Sequence, residues 1–355
     1  MKILVVGPSW IGDMMISQSL YRTLMILHPD AEIDVIAPDW CSPLLNKMPE
    51  VRHSISIPFV HGRLDMNLHR QIGINLRTQH YDQAYILPNS FKSVLIFFFV
   101  KIPIRTGWFG EMRYWLLNDI RILDKTAFPQ MIHRYVSLAY KKNTVKRADE
   151  IPKPILWPKI SVTKKEIFQS KHTFDLPKEL PFVGFCPGSE FGPAKRWPTY
   201  HYAKLAELLF TGNSYQILIF GSKKDRWIGE NIYQLISVNC QEYCFNLVGK
   251  TTLEQAVNLL ASCLAVISND SGLMHIAAAL NRPLIALYGP SSPDFTPPLS
   301  NKVEIIRLIN GYYKVRKGKE EGGYHKSLID IKPEFVITAL TKLLQRINSN
   351  ESINC

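Results

Sequence analysis

Apolar runs of four or five residues alternate with longer stretches of helical periodicity along most of the chain. Ile3-Leu4-Val5-Val6 is the first run and predicts a strand halted at Gly7. A helical pattern follows from about Asp13 to Leu27, where Pro29-Asp30 stops it. Ile33–Ala37 predicts a second strand and completes a βαβ unit. Further strands are expected at Ile55–Pro58 and Ala84–Leu87, with helices near Arg63–Arg77 and Ser90–Val100. Prolines 152, 154, 158, 177 and 181 then punctuate residues 150–181, as in an interdomain connection holding one short helix. Beyond it the alternation restarts. Strands are predicted at Phe182–Cys186, Ile217–Phe220, Leu264–Ser268 and Leu284–Tyr288. Helices are predicted at Tyr200–Phe210, Asn231–Ser237, Leu253–Ala261 and Leu273–Leu280. An amphipathic helix over 332–348 and a frayed polar tail close the chain.

Strands alternating with helices imply parallel sheets, and 355 residues exceed what one core holds. The expected class is α/β, with two Rossmann-like domains, 1–165 and 166–355, facing each other across a cleft. The helix 332–348 is a candidate to pack back on the first domain. The N-terminus runs straight into a strand and lacks the basic and long apolar regions of a signal peptide. The longest apolar run, Val94 to Val100, is far short of the roughly 20 residues needed to cross a bilayer. Six scattered cysteines without a C-x-x-C fit a reducing cytosol and argue against a zinc site.

Net charge is +12. Residues 1–150 hold 18 basic and 13 acidic side chains, and residues 151–355 hold 24 and 17, so the excess has no basic tail. A spread positive field suits an anionic partner such as a nucleotide or an anionic lipid surface. It serves solubility equally well. No helix-turn-helix, RNP or zinc-finger pattern points to nucleic acid.

Candidate chemistry gathers where predicted strands end. Gly7-Pro8-Ser9-Trp10-Ile11-Gly12-Asp13 follows the first strand, and its glycines admit a ligand to the backbone at a helix N-terminus. Asp13 is there either a helix cap or a base. The segment is not a G-x-G-x-x-G fingerprint, which disfavours a nicotinamide site. Ser268-Asn269-Asp270-Ser271-Gly272-Leu273-Met274-His275 repeats the strand-to-helix layout in the second half. Asp270 is a cap or a ligand-positioning carboxylate; Ser271 and Gly272 offer N–H groups to a phosphate. His275 is a packed core histidine or a contact to a diphosphate. In the loop Pro187–Pro198, Lys195 and Arg196 suit an anionic leaving group, unless the loop is merely a solvated basic one. Phe220–Asp225, with Gly221, is another strand-end loop, and Thr251-x-x-Glu254 reads as a capping box beside it. No G-x-S-x-G elbow and no phosphate-binding P-loop occurs.

Taken with Arg105-Thr106-Gly107-Trp108 and Tyr288-Gly289-Pro290-Ser291-Ser292-Pro293, these segments resemble the ADP-heptose:lipopolysaccharide heptosyltransferases. These are bacterial glycosyltransferases of the GT-B fold, and the resemblance spans Met1 to about residue 345. It implies an inverting transfer that needs no cofactor and no bound metal. The implied donor is ADP-L-glycero-β-D-manno-heptose. The implied acceptor is a lipid A-core molecule whose first inner-core heptose is modified. An acceptor without heptose is the alternative; so is a non-catalytic nucleotide-sugar-binding module or a sugar-nucleotide epimerase. By the resemblance Asp13 is the general base and Lys195 contacts the donor phosphates. Ser189, Glu190, Gly221, Thr251, Asp270, Ser271, Gly272, Leu273 and His275 are implied on the donor nucleotide. Ser9, Trp10 and Gly12, with the basic Lys92, Arg105 and Arg113, are implied on the acidic acceptor. A cytoplasmic protein, peripheral on the inner face of the inner membrane, is the matching location.

Overall fold

In a computed structural model, residues 1–56, 66–90, 96, 97, 99–111, 113–177 and 180–353 are described. The chain divides into two compact units, Met1–Pro158 with Asp294–Thr296, and Lys159–Pro293 with Pro297–Cys355.

The first unit is built on β1 (Lys2–Val6), β2 (Glu32–Ala37), β3 (Val51–Ser56), β4 (Gln83–Ile86), β5 (Ile104–Trp108) and β6 (Asp119–Arg121). They form one parallel sheet in the order β3-β2-β1-β4-β5-β6. In β1, Ile3, Leu4 and Val5 are fully buried. An unbroken apolar run is what a central parallel strand covered on both faces requires. The helix Ile11–Leu27 follows directly and buries Met14, Met15, Ile16, Leu20, Tyr21 and Leu24.

The second unit repeats the design with β7 (Phe182–Cys186), β8 (Gln216–Ile219), β9 (Cys244–Asn246), β10 (Ala265–Asn269), β11 (Leu284–Tyr288) and β12 (Val303–Arg307). Its parallel order is β12-β11-β10-β7-β8-β9. Numbered from each unit's own first strand, both sheets read 3-2-1-4-5-6, the doubly wound order. The direction of winding reverses between β1 and β4 in one sheet and between β7 and β10 in the other. Ligands of such sheets bind outside the carboxyl ends of the strands at that reversal. The α/β class and the two Rossmann-like parallel sheets are as expected from the sequence.

Differences are local. β5, β6, β9 and β12 were not anticipated, and the helix expected at Asn231–Ser237 runs from Arg226 to Leu235. Of Ser90–Val100, residues 91–95 and 98 lie outside the described residues, as do 63–65 of the Arg63–Arg77 helix. The last helix, Pro333–Ile353, continues through the tail expected to fray. Its Val336, Leu340 and Leu343 are buried in the second unit's own core beside Leu205 and Ile285, so its apolar face is used there. Cys41, Cys186, Cys240, Cys244 and Cys263 are free and buried. Among the described residues no helix is long and apolar enough to cross a membrane.

Candidate functional site

The carboxyl end of β1 leads into Gly7, where a side chain would require Met14 to turn aside. A Cβ there would lie 2.5 Å from Met14 Cε. The Gly7 N–H donates to Ile36 O at 2.9 Å, which keeps the loop on the sheet. Trp10 is the helix N-cap, and the Met14 N–H donates to its carbonyl at 2.8 Å. Asp13 therefore lies inside the first turn and is not the cap. It is the acidic residue of that turn, where the positive end of the helix dipole favours a carboxylate. Ser9, Gly12 and Asp13 are half-buried and Trp10 is 61% exposed. Tyr135 is buried, and burial and then the Asp13 charge push its hydroxyl well above the usual tyrosine range.

Two of the basic side chains expected on the acceptor are engaged by the chain itself. Arg113 is 2% exposed, and its guanidinium donates to Pro88 O at 2.7 Å, Asn89 Oδ1 at 3.2 Å and Trp108 O. Arg105 donates to Leu116 O at 2.7 Å and to Ile102 O at 2.5 Å. Burial lowers the pKa of both guanidinium groups. Both arginines fasten chain segments around β5 through backbone carbonyls. Lys92 lies outside the described residues.

In the second unit the reversal between β7 and β10 brings together two loops that are 75 residues apart in sequence. The last residue of β10, Asn269, is fully buried. Its amide donates to Pro187 O at 2.6 Å, and its Oδ1 accepts from the Trp197 N–H and the Tyr202 hydroxyl, each at 3.1 Å. One side chain thus holds both ends of the loop 187–197 to the neighbouring strand. Within that loop Gly192 has φ +142°, and its close neighbour is Arg316 O, 2.4 Å from where a Cβ would stand. The Ala194 N–H donates to the same carbonyl at 3.2 Å. The segment 311–325, which the sequence left open, therefore packs on this loop through Arg316.

The 3₁₀ turn Pro193–Lys195 then aims Lys195 across the reversal. Its ammonium meets Asp270 Oδ2 at 2.6 Å, with the two side chains 19% and 10% exposed. Asp270 is thus an ion-pair partner and not a helix cap; Ser271 is the N-cap of the helix Gly272–Ala279, without a side-chain capping bond. The first-turn N–H groups of that helix, from Gly272 and Leu273 onward, have no intrahelical acceptor by geometry and carry the positive end of its dipole. His275 is buried one turn in, and burial, opposed by Asp270 and reinforced by Lys195, lowers its pKa to about 4. It is neutral at physiological pH.

Around this centre the remaining candidates are held by neighbours. The Ser189 carbonyl accepts from Arg196 at 3.0 Å, and Glu190 pairs with Lys224 of the loop after β8. Gly221 accepts from the Gly249 N–H at 2.9 Å, which sets the loops after β8 and β9 side by side. The capping box is Thr252 with Gln255, one residue on from the Thr251–Glu254 pair expected. Thr251 is left half-buried at the turn. Asn269 has no role readable from its motif alone. A polar residue closing an otherwise apolar strand was the available signal.

The arrangement has a clear chemical capacity. The first sheet offers a carboxylate at its reversal point. The second offers an ammonium with a helix N-terminus, a receptor for an anion such as a diphosphate.

Residues 69–325 match the family described as glycosyltransferase family 9 (heptosyltransferase). The chain is 58% identical over 344 residues to lipopolysaccharide heptosyltransferase 2 of Escherichia coli strain K12, covering 97% of this chain and 99% of that one. It is 54% identical to lipooligosaccharide heptosyltransferase 2 of Haemophilus influenzae, over 98% of this chain and all of that one. The solved structure of E. coli ADP-heptose LPS heptosyltransferase II superposes with a TM-score of 0.91 at 54% identity, covering 98% of this chain and 100% of that chain.

Proposed function

The chain belongs to glycosyltransferase family 9, the heptosyltransferases, and from that premise we propose that it moves an L-glycero-D-manno-heptosyl group from ADP-heptose to the first heptose of the lipopolysaccharide inner core. The observation that carries the reading is that each sheet holds a charged group at its own reversal point: Asp13 in the first unit, the Lys195–Asp270 ion pair in the second.

In the proposed step an acceptor hydroxyl oxygen attacks the anomeric carbon from the face opposite the diphosphate. The bond from that carbon to the phosphate oxygen breaks, and ADP departs with the electron pair. The hydroxyl proton passes to the Asp13 carboxylate. A positioned base of this kind contributes about 10²–10⁴-fold. Lys195 and the N–H groups at Gly272 and Leu273 neutralise the charge that grows on the leaving diphosphate. Asp270 orients the Lys195 ammonium, and neutral His275 supports the same turn without adding a charge. On this reading the first unit takes the lipid A-core acceptor and the second takes the nucleotide. An acceptor of that kind puts the protein at the inner face of the cytoplasmic membrane, held peripherally.

The test is Asp13→Asn. ADP release falls by at least 10²-fold while ADP still binds with unchanged affinity. A variant that turns over at the normal rate removes Asp13 from the role of base.

A further inference from the structure

Trp10 is the N-cap of the helix whose first turn carries Asp13, and a second tryptophan, Trp40, reaches the same loop. Trp40 stands in the 3₁₀ turn Asp39–Cys41, three residues beyond the end of β2. Its indole N–H donates to Ser9 O at 3.0 Å, across 31 residues of sequence. The Cys41 thiol lies 3.9 Å from the same carbonyl. Trp40 is nonetheless 47% exposed, and Trp10 is 61% exposed. Singly exposed aromatics need no explanation, but here two exposed indoles come to one strand-end loop, Trp40 through its bond to Ser9 and Trp10 as the next residue of that loop.

The geometry restricts what Trp40 can offer. Its one hydrogen-bond donor is already engaged by the Ser9 carbonyl, and indole has no acceptor. What is left is a flat apolar face, fixed in orientation by that bond. Trp10 adds a second indole on a backbone held as the helix N-cap. A flat apolar surface on the loop that leads into the turn bearing a carboxylate base suits a ligand with one apolar face and a rim of hydroxyls. A pyranose ring has that shape, because its axial C–H groups gather on one side. We propose that Trp40, with Trp10, forms a stacking platform for a pyranose ring of the acceptor, holding the sugar whose hydroxyl reaches Asp13. Trp40 is then a binding and specificity residue, and this rests on the reading that the first unit takes the acceptor.

The test uses the full chain and a soluble acceptor probe, the deacylated inner-core oligosaccharide bearing one heptose. Its affinity is measured by calorimetry without donor, and its KM with ADP-heptose. Trp40→Ala is expected to raise both the dissociation constant and the KM about tenfold, the scale of removing an aromatic anchor from a binding surface. The kcat and the ADP affinity stay unchanged. Trp40→Phe keeps a ring without the N–H and recovers most of the loss. Unchanged oligosaccharide affinity in Trp40→Ala overturns the platform. So does a parallel loss of ADP affinity or of melting temperature, which would make Trp40 a structural residue. If the unmodified chain binds the oligosaccharide but transfers no heptose, the transferase reading fails, and the affinity of Trp40→Ala still decides the platform.

Discussion

Removing the Asp270 carboxylate exposes how the Lys195 ammonium is held. At 2.6 Å and an effective dielectric of about 20, the gross attraction of the pair is about 6 kcal/mol. Most of that offsets the cost of taking both charges out of water, since the side chains are only 19% and 10% exposed. The asymmetry appears when one partner goes. Asp270→Ala leaves a largely buried cation without its counter-charge, which costs about 3 kcal/mol. For an α/β unit of this size, each kcal/mol moves the melting temperature by about 2–4 °C. The second unit of Asp270→Ala should therefore melt about 6–12 °C lower. The double variant Lys195→Ala/Asp270→Ala should recover much of this, because no unpaired charge is left. The assay is scanning calorimetry of the four proteins of the cycle, each with and without saturating ADP. ADP should raise the melting temperature of the unmodified chain and lose most of that effect in Lys195→Ala. Equal stabilisation by ADP in Lys195→Ala would refute the diphosphate role of Lys195. A melting temperature unchanged by Asp270→Ala would refute the energetic account of the pair.

Two further outcomes follow from the same loops. His275 titrates near pH 4 when folded and near 6.5 when unfolded, so below pH 6.5 the unfolded chain binds the extra proton and stability falls as pH drops towards 4. The full effect is about 3 kcal/mol, and a His275→Gln variant should show a flatter acid limb in melting temperature against pH. Gly192→Ala adds a Cβ 2.4 Å from Arg316 O at a φ of +142°, so it should destabilise the second unit and raise the KM for ADP-heptose through Lys195. Normal stability and KM together would mean the loop is not held as described.

The legible parts of the fold were those with strong local signals. β7, β11 and the helix Leu253–Ala261 were read to the residue, because a central parallel strand is continuously apolar and an amphipathic helix keeps its period. β12 was missed because it is an edge strand with only Ile306 buried, and β9 has just three residues. The helix Arg226–Leu235 begins five residues before the expected Asn231 and takes in Gly229. That position is glycine because Asn246 Oδ1 and Val248 lie 2.4 and 2.6 Å from where its Cβ would be. At the site, turn chemistry located the strand-end loops, but their partners depend on sheet order. Nothing local in Lys195 or Asp270 announces a pair that exists only because β7 lies beside β10. Likewise Arg105 and Arg113 look like surface charges in sequence, whereas their guanidinium groups are engaged by carbonyls of segments that only the fold brings near. The capping box was displaced by one residue because adjacent threonines each stand three residues before a suitable partner, and the helix begins after the second.

The central claim is heptosyl transfer to an acceptor that already carries a heptose. Its most direct test is ADP release from ADP-heptose with two lipid acceptors run side by side, one bearing a single inner-core heptose and one bearing none. The account predicts release with the heptose-bearing acceptor alone. Release only with the bare acceptor, or with neither from protein that still binds the donor, would contradict it.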